Sequence, residues 1–275
     1  MNVNMGGIIP DDPALPTLAV VTVSKNYLQG LKRTCRSVDH QRFRDVQHVI
    51  VDGGSNDGSR EWLTSLAPNH RRDWSSQEDD GIYHAMNIGL ARVDADLVVF
   101  MNSGDTFSDA DTLSFVAEDW RRNRWNWGFG AVRYVDSRGE PSFGHVSTPI
   151  QWRKLAYGLT FVPHQAAYFE TDFIVGLGGY SPEYGLAADQ ELIIRAMAKS
   201  RPAEWIRFMV DFEMGGVTST VSTWAREKMW HKIRRGNGLM LANSLPIDYS
   251  ATVGLAAYRI SRRRLASVVR GSSSR

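Results

Sequence analysis

The stretch LVVFMNSGD, residues 97–105, joins an apolar run directly to a polar turn. The largely apolar run over 97–102 predicts a short strand that is buried on both faces. The turn Asn102-Ser103-Gly104-Asp105 follows at once, and Asp105 carries its one carboxylate. A buried strand that ends on such a turn is typical of α/β sheets, which bind ligands at the carboxyl ends of their strands.

Two earlier apolar runs, at 18–24 and 46–52, also end on polar turns. Amphipathic segments accompany the three runs, and they predict helices over 28–38, 58–66, 82–92 and 112–123. Strands that are apolar on both faces and separated by helices predict a parallel sheet covered on both sides. We therefore expect an α/β fold in which the three turns form one polar crevice.

The turn over 52–58 is rich in glycine, in the sequence VDGGSNDGS. Glycine permits positive φ angles and close backbone approach, and Ser or Asp can cap the helix that follows. The turn matches neither a Walker loop nor a dinucleotide fingerprint, so an ordinary strand–turn–helix connection is an alternative to a phosphate cradle. Its position after a buried strand favours the functional interpretation.

The length of 275 residues and a hydrophobic content of 43% suit one large α/β domain with a small appendage. The single cysteine, Cys35, cannot form an internal disulfide and is expected to be buried. The first 16 residues do not resemble a signal peptide, and no apolar run of about 18 residues predicts a membrane span. We expect a cytoplasmic protein.

The C-terminal part of the chain is strongly basic. From Trp224 to Arg275 there are eleven Lys and Arg residues against two acidic ones. Apolar residues alternate with the basic clusters, which is typical of helices that lie on an anionic membrane, with Trp224, Trp230, Ile260 and Leu265 inserted. A solvated basic face is the alternative. Nucleic acid is not expected as a partner, because the chain has no recognised motif for it.

Four segments, taken together and in order, resemble the family 2 glycosyltransferases with the GT-A fold: VTVSKN, VIVDGGSNDGS, EDDGIYHAMNIGLARVDADLVVFMNSGD and GGYSPEYGLAADQELIIRAMAKS. They are most similar to the bacterial branch that builds surface polysaccharides and glycolipids, including colanic-acid-type enzymes. The similarity covers roughly residues 17–200. It implies a Rossmann-like, mostly parallel sheet in a domain over 17–215, after a flexible N-terminus (1–16) and before a helical basic extension (216–275).

The resemblance also implies the reaction. An inverting enzyme would move a sugar from a nucleotide-diphosphate sugar to a hydroxyl of a glycan or lipid-linked acceptor, during cell-envelope synthesis. We expect peripheral association with the inner face of the plasma membrane. Two other classes remain open. A sugar nucleotidyltransferase would need a basic triphosphate loop, where the first turn offers only Lys25. The second alternative class is a non-catalytic scaffold protein that binds a sugar nucleotide.

Family positions that hold the nucleotide sugar can be carried over to this sequence. They fall on Thr22, Ser24, Asp52, Ser55, Asp80, Gly81, Asn87, Asn102 and Ser103. Many relatives have two adjacent carboxylates where this chain has Asp52-Gly53, so the base need not be uridine. Asp79 and Asp80 have an alternative explanation, since acidic residues at a helix start are favoured by the helix dipole.

The family usually ends its fourth strand in Asp-x-Asp, whose carboxylates hold a divalent cation against the diphosphate. The matching residues here are Asn102 and Gly104, which leaves Asp105 as the carboxylate of the turn. A hard cation prefers oxygen ligands, so we expect Mg²⁺ or Mn²⁺ bound by Asp105, the Asn102 carbonyl and donor phosphates. As the alternative, Asp105 would cap a helix over 107–112.

Acceptor-side residues come from the second half of the chain. The resemblance makes Asp189, at the start of a predicted helix, the general base that takes the proton of the acceptor hydroxyl. A helix cap is its alternative role. Pro163-His164-Gln165 matches a loop that faces the acceptor in relatives, so His164 is expected to contact the acceptor or a phosphate. A structural histidine is the alternative.

Overall fold

A sheet of nine strands runs through the part of the chain that the computed structural model describes, which comprises residues 14–67, 69–136, 138–215 and 221–272, with side chains as far as Arg262. The strands are Leu18–Ser24 (β1), Val46–Asp52 (β2), Arg72–Ser76 (β3), Leu97–Asn102 (β4), Thr106–Phe107 (β5), Trp127–Val135 (β6), Pro141–His145 (β7), Ala167–Glu170 (β8) and Ala203–Glu213 (β9). The helices are Leu28–Asp39 (α1), Ser59–Ser65 (α2), Ile82–Leu90 (α3), Thr112–Asn123 (α4), Trp152–Ala156 (α5), Thr171–Gly176 (α6), Ala188–Lys199 (α7), Thr223–Gly236 (α8) and Leu245–Ser272 (α9).

The first four long strands form the parallel part of the sheet, in the order β3-β2-β1-β4. β1 is buried along its whole length, because a parallel sheet is covered by helices on both faces. Ser24 pairs with Asp52, and Val23 pairs with Asn102, so the three strands end at the same level. The turns at 24–26, 52–58 and 102–105, together called the turn edge below, therefore lie side by side as the sequence predicts.

Beyond β4 the sheet becomes mixed. β8 is antiparallel to β4 and to β6, β9 is parallel to β6, and β5 is antiparallel to β9. The predicted helix over 107–112 is wrong, since Thr106–Phe107 pairs with β9 as a strand and the next helix begins only at Thr112. Asp105 therefore caps no helix.

Helices cover both faces of the sheet. The core on one face contains Met86 of α3, Leu192 of α7 and Trp230 of α8. On the other face, Leu113 and Val116 of α4 pack on the sheet, beside a smaller cluster formed by α1 and α2. Because Trp230 is buried in this core, its predicted insertion into a membrane is wrong.

An ion pair joins the last two helices. Arg234 of α8 donates from Nε to Asp248 Oδ1 of α9 at 2.9 Å, and both side chains are fully buried. Arg234 also donates to Thr252, and His231 contacts the same carboxylate. Within the described chain, no helix is long and apolar enough to cross a membrane. The predicted boundary at residue 215 stays a prediction, and residues 1–13 of the predicted flexible N-terminus lie outside the described residues.

Candidate functional site

Hydrogen bonds connect the first two turns of the turn edge. The Asn26 backbone N–H donates to Ser55 Oγ at 2.7 Å, and the Asn56 N–H donates to Asn26 Oδ1 at 2.9 Å. The third turn joins them through the Ser103 N–H, which donates to the Val23 carbonyl at 3.0 Å. The three turns therefore form one connected surface in which Ser55 and Ser103 are half-buried.

Two of the predicted nucleotide-binding residues lie below this surface. Asp52 is fully buried, and its carboxylate accepts hydrogen bonds from Ser55 N–H (3.0 Å), Ser55 Oγ and Ser76 Oγ (2.7 Å). Thr22 is also fully buried, and its hydroxyl is 2.9 Å from His48 Nε2. The Asp52 carboxylate thus orders the second turn from inside, whereas Thr22 links β1 to β2. Ser24 Oγ, in contrast, is buried with no hydrogen-bond partner among the described residues.

The segment around the start of α3 contributes two exposed residues and one residue that binds the loop before α7. Asp80 and Gly81 are exposed beside the turns. Asn87 is bound on both sides of its amide: Nδ2 donates to the Tyr180 carbonyl at 2.8 Å, and Oδ1 accepts from the Tyr180 N–H at 2.9 Å. Asn87 therefore fixes the loop before α7 to α3. The nucleotide-binding roles of all these residues stay predictions.

Asp105, the predicted metal ligand, is only 4% exposed. Its Oδ2 accepts from Gln165 Nε2 and its Oδ1 from the Glu213 N–H, both at 2.9 Å. Burial raises the pKa of Asp105 to about 7, although these two hydrogen bonds lower it. Both oxygens thus have partners within the protein, so the carboxylate as placed does not fit the role of an open metal ligand.

One other oxygen at this turn does fit a divalent cation. Asn102 Oδ1 is buried and has no hydrogen-bond partner among the described residues. The Glu213 carboxylate fills the space where a Cβ of Gly104 would lie. Tyr27 and Arg33 donate to the Glu213 oxygens, so Asn102 Oδ1 is the atom suitable for Mg²⁺ or Mn²⁺ here. It is suitable only if phosphates complete the coordination, because the described residues include no group of three His, Cys, Asp or Glu side chains that could hold a metal.

Asp189 and His164 come together on the acceptor side. His164 Nδ1 lies 3.5 Å from Asp189 Oδ2, and the Asp189 side chain is 17% exposed. Asp189 lies inside the first turn of α7, where no side chain makes a capping hydrogen bond, and its carboxylate accepts from the Gln190 N–H and from Gln190 Nε2. His164 Nε2 is buried and unpartnered among the described residues.

The segment 162–165 connects the two halves of the site. Gln190 Nε2 donates to the Val162 carbonyl at 2.8 Å, and the Val162 N–H donates to Gln190 Oε1 at 3.1 Å. Three residues on, Gln165 holds Asp105. The same short segment therefore contacts the helix that carries Asp189 and the turn that ends β4. The sequence singled out His164 here, but not Gln165 or Gln190.

Two buried tyrosines lie beside Asp189. Burial, and then the negative charge of Asp189, raise the pKa of Tyr83 and of Tyr180. Both phenols are therefore protonated at neutral pH, and the Tyr83 hydroxyl is 3.4 Å from the Leu186 carbonyl. The Tyr83 and Tyr180 side chains therefore lie beside the Asp189 carboxylate without carrying a charge.

A parallel sheet with polar turns at one edge, extended by mixed strands and accompanied by a helix that carries the Asp189 carboxylate, is the architecture expected of GT-A glycosyltransferases. The chain belongs to Glycosyl transferase family 2, whose sequence profile matches residues 19–174. An uncharacterized glycosyltransferase of Mycobacterium tuberculosis is 37% identical over 210 residues, which cover 74% of this chain and 78% of that protein. A PGL/p-HBAD biosynthesis glycosyltransferase of Mycobacterium bovis is 27% identical over 227 residues, covering 76% and 81%.

Solved structures share the fold at low sequence identity. TarS 1-349 of S. aureus in complex with UDP-GlcNAc has a TM-score of 0.65 and 17% identity, over 80% of this chain and 66% of that fragment. The mannosyltransferase PcManGT of Pyrobaculum calidifontis, in complex with GDP-Man and Mn²⁺, has a TM-score of 0.61 and 18% identity, over 97% and 82%. The predictions of family, fold and enzyme class are confirmed.

Proposed function

We propose that the chain is an inverting glycosyltransferase that moves a sugar from a nucleotide-diphosphate sugar to a hydroxyl of a glycan or lipid-linked acceptor. The observation that carries the proposal is the Asp189–His164 pair, which the segment 162–165 connects to the turn edge. A sugar bound at the turn edge would have its C1 between these two sets of groups. The relatives and the solved structures with UDP-GlcNAc and GDP-Man support a nucleotide-sugar donor.

In this mechanism Asp189 is the general base. It takes the proton of the acceptor hydroxyl while the hydroxyl oxygen attacks C1 of the donor and the bond from C1 to the diphosphate breaks. Attack opposite the leaving group inverts the configuration at C1. His164 orients the Asp189 carboxylate from its buried side. A divalent cation, held by Asn102 Oδ1 and the donor phosphates, would neutralise the charge that develops on the diphosphate.

The first prediction tests the base. Asp189→Asn keeps the shape of the side chain but removes its basicity, so turnover should fall by roughly 10²–10⁴. Donor affinity should stay within about twofold, because the turn edge is unchanged. Turnover is measured as UDP or GDP release from a panel of UDP- and GDP-sugars, with an extract of bacterial membrane lipids as the source of acceptors.

Asp172→Asn is the matched control, since Asp172 is an exposed carboxylate in the first turn of α6. The turnover and donor affinity of this variant should equal those of the unmodified chain. Near-normal turnover by a folded Asp189→Asn chain would remove Asp189 from the mechanism. Donor binding without any turnover in the unmodified chain would favour the non-catalytic scaffold.

For the acceptor, the exposed side of α9 favours a lipid-linked molecule. Large apolar side chains are exposed along this helix, and they are Leu245, Ile247, Tyr249, Val253, Tyr258 and Ile260. The helix continues into the basic run that begins at Arg262. Exposed apolar side chains next to clustered positive charge suit an anionic lipid surface. The PGL/p-HBAD biosynthesis relatives are consistent with a glycolipid product.

A further inference from the structure

The hairpin of β6 and β7 extends beyond the level of the turn edge. β8 pairs both Val99 of β4 and Gly128 of β6 with Tyr168, so these two parallel strands are level at that point. Three residues further along each strand, Asn102 is level with Ala131, where β4 ends and β6 continues. The last residues of β6, together with β7, therefore project past the three turns.

Two stacked pairs of rings lie on one face of this hairpin. Tyr134 of β6 is paired in register with Phe143 of β7, and their rings stack with centroids 4.4 Å apart and planes at 18°. His145 is two residues after Phe143 and so points to the same face, where its ring stacks on Phe161 at 4.2 Å and 11°. These four residues are called the aromatic wall below.

The aromatic wall offers two exposed rings in fixed orientations. Phe143 is 55% exposed and Phe161 is 39% exposed, although each stacks on a neighbour. The Phe161 carbonyl accepts from Ser147 Oγ at 2.5 Å and lies 3.2 Å from His145 Nε2, which fixes its segment to the end of β7. Exposed apolar side chains that lie together mark interaction sites, and rings that are already ordered lose little entropy when a ligand binds.

One end of the aromatic wall adjoins the predicted general base. Phe161 directly precedes Val162, whose N–H and carbonyl both bind the side chain of Gln190. Gln190 in turn follows Asp189 and donates to its carboxylate. A molecule stacked on Phe161 would therefore lie next to the carboxylate that accepts the proton.

The other end of the aromatic wall lies near the turn edge. The Tyr134 ring contacts the Phe212 ring at 5.1 Å, and Phe212 is followed by Glu213, whose N–H binds Asp105. Burial, and then the negative charge of Asp105, raise the pKa of Tyr134, in agreement with a short separation. The aromatic wall thus extends from the turn that ends β4 to the segment that contacts α7.

We propose that the aromatic wall binds a sugar ring of the acceptor, so that the acceptor is a glycan or a lipid-linked molecule that ends in a sugar. The inference rests on the proposed function and narrows its acceptor. One face of a sugar ring consists of C–H groups, which stack on the negative face of an aromatic ring, while hydroxyls remain at the rim. An alkyl chain would also cover the rings, but it has no hydroxyl to present to Asp189. A second copy of the chain is the other competing occupant.

The experiment replaces one exposed ring at a time in the full chain. Phe143→Leu and Phe161→Leu keep an apolar side chain but lose the flat face, whereas Phe143→Trp keeps a flat face. Val175→Ala is the matched control, because Val175 is 55% exposed in α6. That helix follows Glu170, which pairs with the first residue of β4 at the opposite edge of the sheet.

Binding is measured by saturation-transfer NMR with the methyl glycosides of glucose, galactose, mannose and N-acetylglucosamine, which carry neither an aromatic ring nor a lipid. The apparent KM is measured for a dilution series of the membrane-lipid extract. Both leucine variants should weaken glycoside binding and raise the apparent KM roughly three- to tenfold, with kcat and the affinity for UDP or GDP unchanged. Phe143→Trp and Val175→Ala should match the unmodified chain.

Leucine variants that bind the glycosides as well as the unmodified chain does would overturn the proposal, and so would the absence of binding by every glycoside. Normal transfer by both leucine variants would overturn it too and leave the proposed function intact. An unmodified chain that sediments as a dimer and separates on Phe143→Leu would assign the aromatic wall to a second copy instead. Glycoside binding needs no turnover, so binding that depends on the rings without any sugar transfer would support the aromatic wall and refute the proposed function.

Discussion

Asp105 illustrates how one buried side chain makes stability depend on pH. Its folded-state pKa is raised to about 7 by burial, above an ordinary value of 3.8. The folded chain therefore binds a proton more tightly than the unfolded chain. The protonated carboxyl stabilises the fold fully below pH 3.8, and this contribution is lost as the pH rises through about 7.

The second prediction tests this loss of stability as the pH rises. Asp105→Asn is uncharged at every pH, so the free energy of unfolding of the unmodified chain, relative to this variant, should fall between pH 4 and pH 8. The change is at most about 4 kcal/mol, since each pKa unit is worth about 1.4 kcal/mol. Urea unfolding at pH 4.5, 6 and 8 measures it. A constant difference at all three values would mean that Asp105 stays ionised throughout.

The sequence singled out Asp105, Asp189 and His164 but not Gln165 or Glu213, which donate hydrogen bonds to Asp105. Asp189 and His164 lie in segments with a recognisable pattern, and the structure brings them within 3.5 Å. Gln165 and Glu213 contribute through contacts between segments that are far apart in the chain. Nothing in the local sequence near Asp105 indicates that β9 ends against it.

Among the elements, strands were predictable where burial is complete. β1, β2 and β4 are apolar on both faces, and their observed bounds match the predicted ones. β3 has the sequence RDWSS and is only half-buried at the end of the sheet, so its pattern is weak. β6 contains Gly128 and Gly130, which are unusual inside a strand. Its glycines are explained by the partner strand, which the sequence does not specify.

The third prediction concerns that pair of strands. A Cβ on Gly130 would lie 2.3 Å from Met209 Cγ and 2.9 Å from the Arg207 carbonyl of β9. Gly130→Ala should therefore lower the free energy of unfolding by about 1–3 kcal/mol, as overpacking does. Gly254→Ala is the matched control, because no atom lies within 4 Å of its Cβ position in α9. It should stabilise slightly, since alanine is the better helix former.

Equal effects of the two alanine variants in urea unfolding would contradict the close approach of β6 and β9. The close approach of β6 and β9 also matters for the site, because Glu213 is the last residue of β9. A strand that moves away from β6 would also move Glu213 away from Gly104. Because the Glu213 N–H also holds Asp105, Gly130→Ala should consequently weaken nucleotide binding at the turn edge.

At the scale of the whole molecule, the two C-terminal helices have different roles. α8 packs on the core of the sheet through Trp230 and Ile233. α9 is joined to it by the buried Arg234–Asp248 pair, which would leave an uncompensated buried charge if either partner were removed. The basic tail predicted from the sequence is thus an anchored helix, at least as far as Arg262, with its apolar side chains outward.

The last prediction concerns the run of three arginines, 262–264, in the sequence of α9. Replacing Arg262, Arg263 and Arg264 by Gln should weaken sedimentation with anionic liposomes by roughly 100-fold at low salt, since each basic residue near the surface contributes about 1 kcal/mol. Neutral liposomes should bind neither form. Arg42→Gln with Arg122→Gln is the control, because these exposed arginines lie near α4, on the other face of the sheet. A loss of roughly 30-fold in the control, which removes two charges, would indicate attraction to net charge alone. If the unmodified chain ignored anionic liposomes, α9 would have to contact something other than lipid. A lipid-linked acceptor would then lose its main physical support, whereas the role of Asp189 would be unaffected.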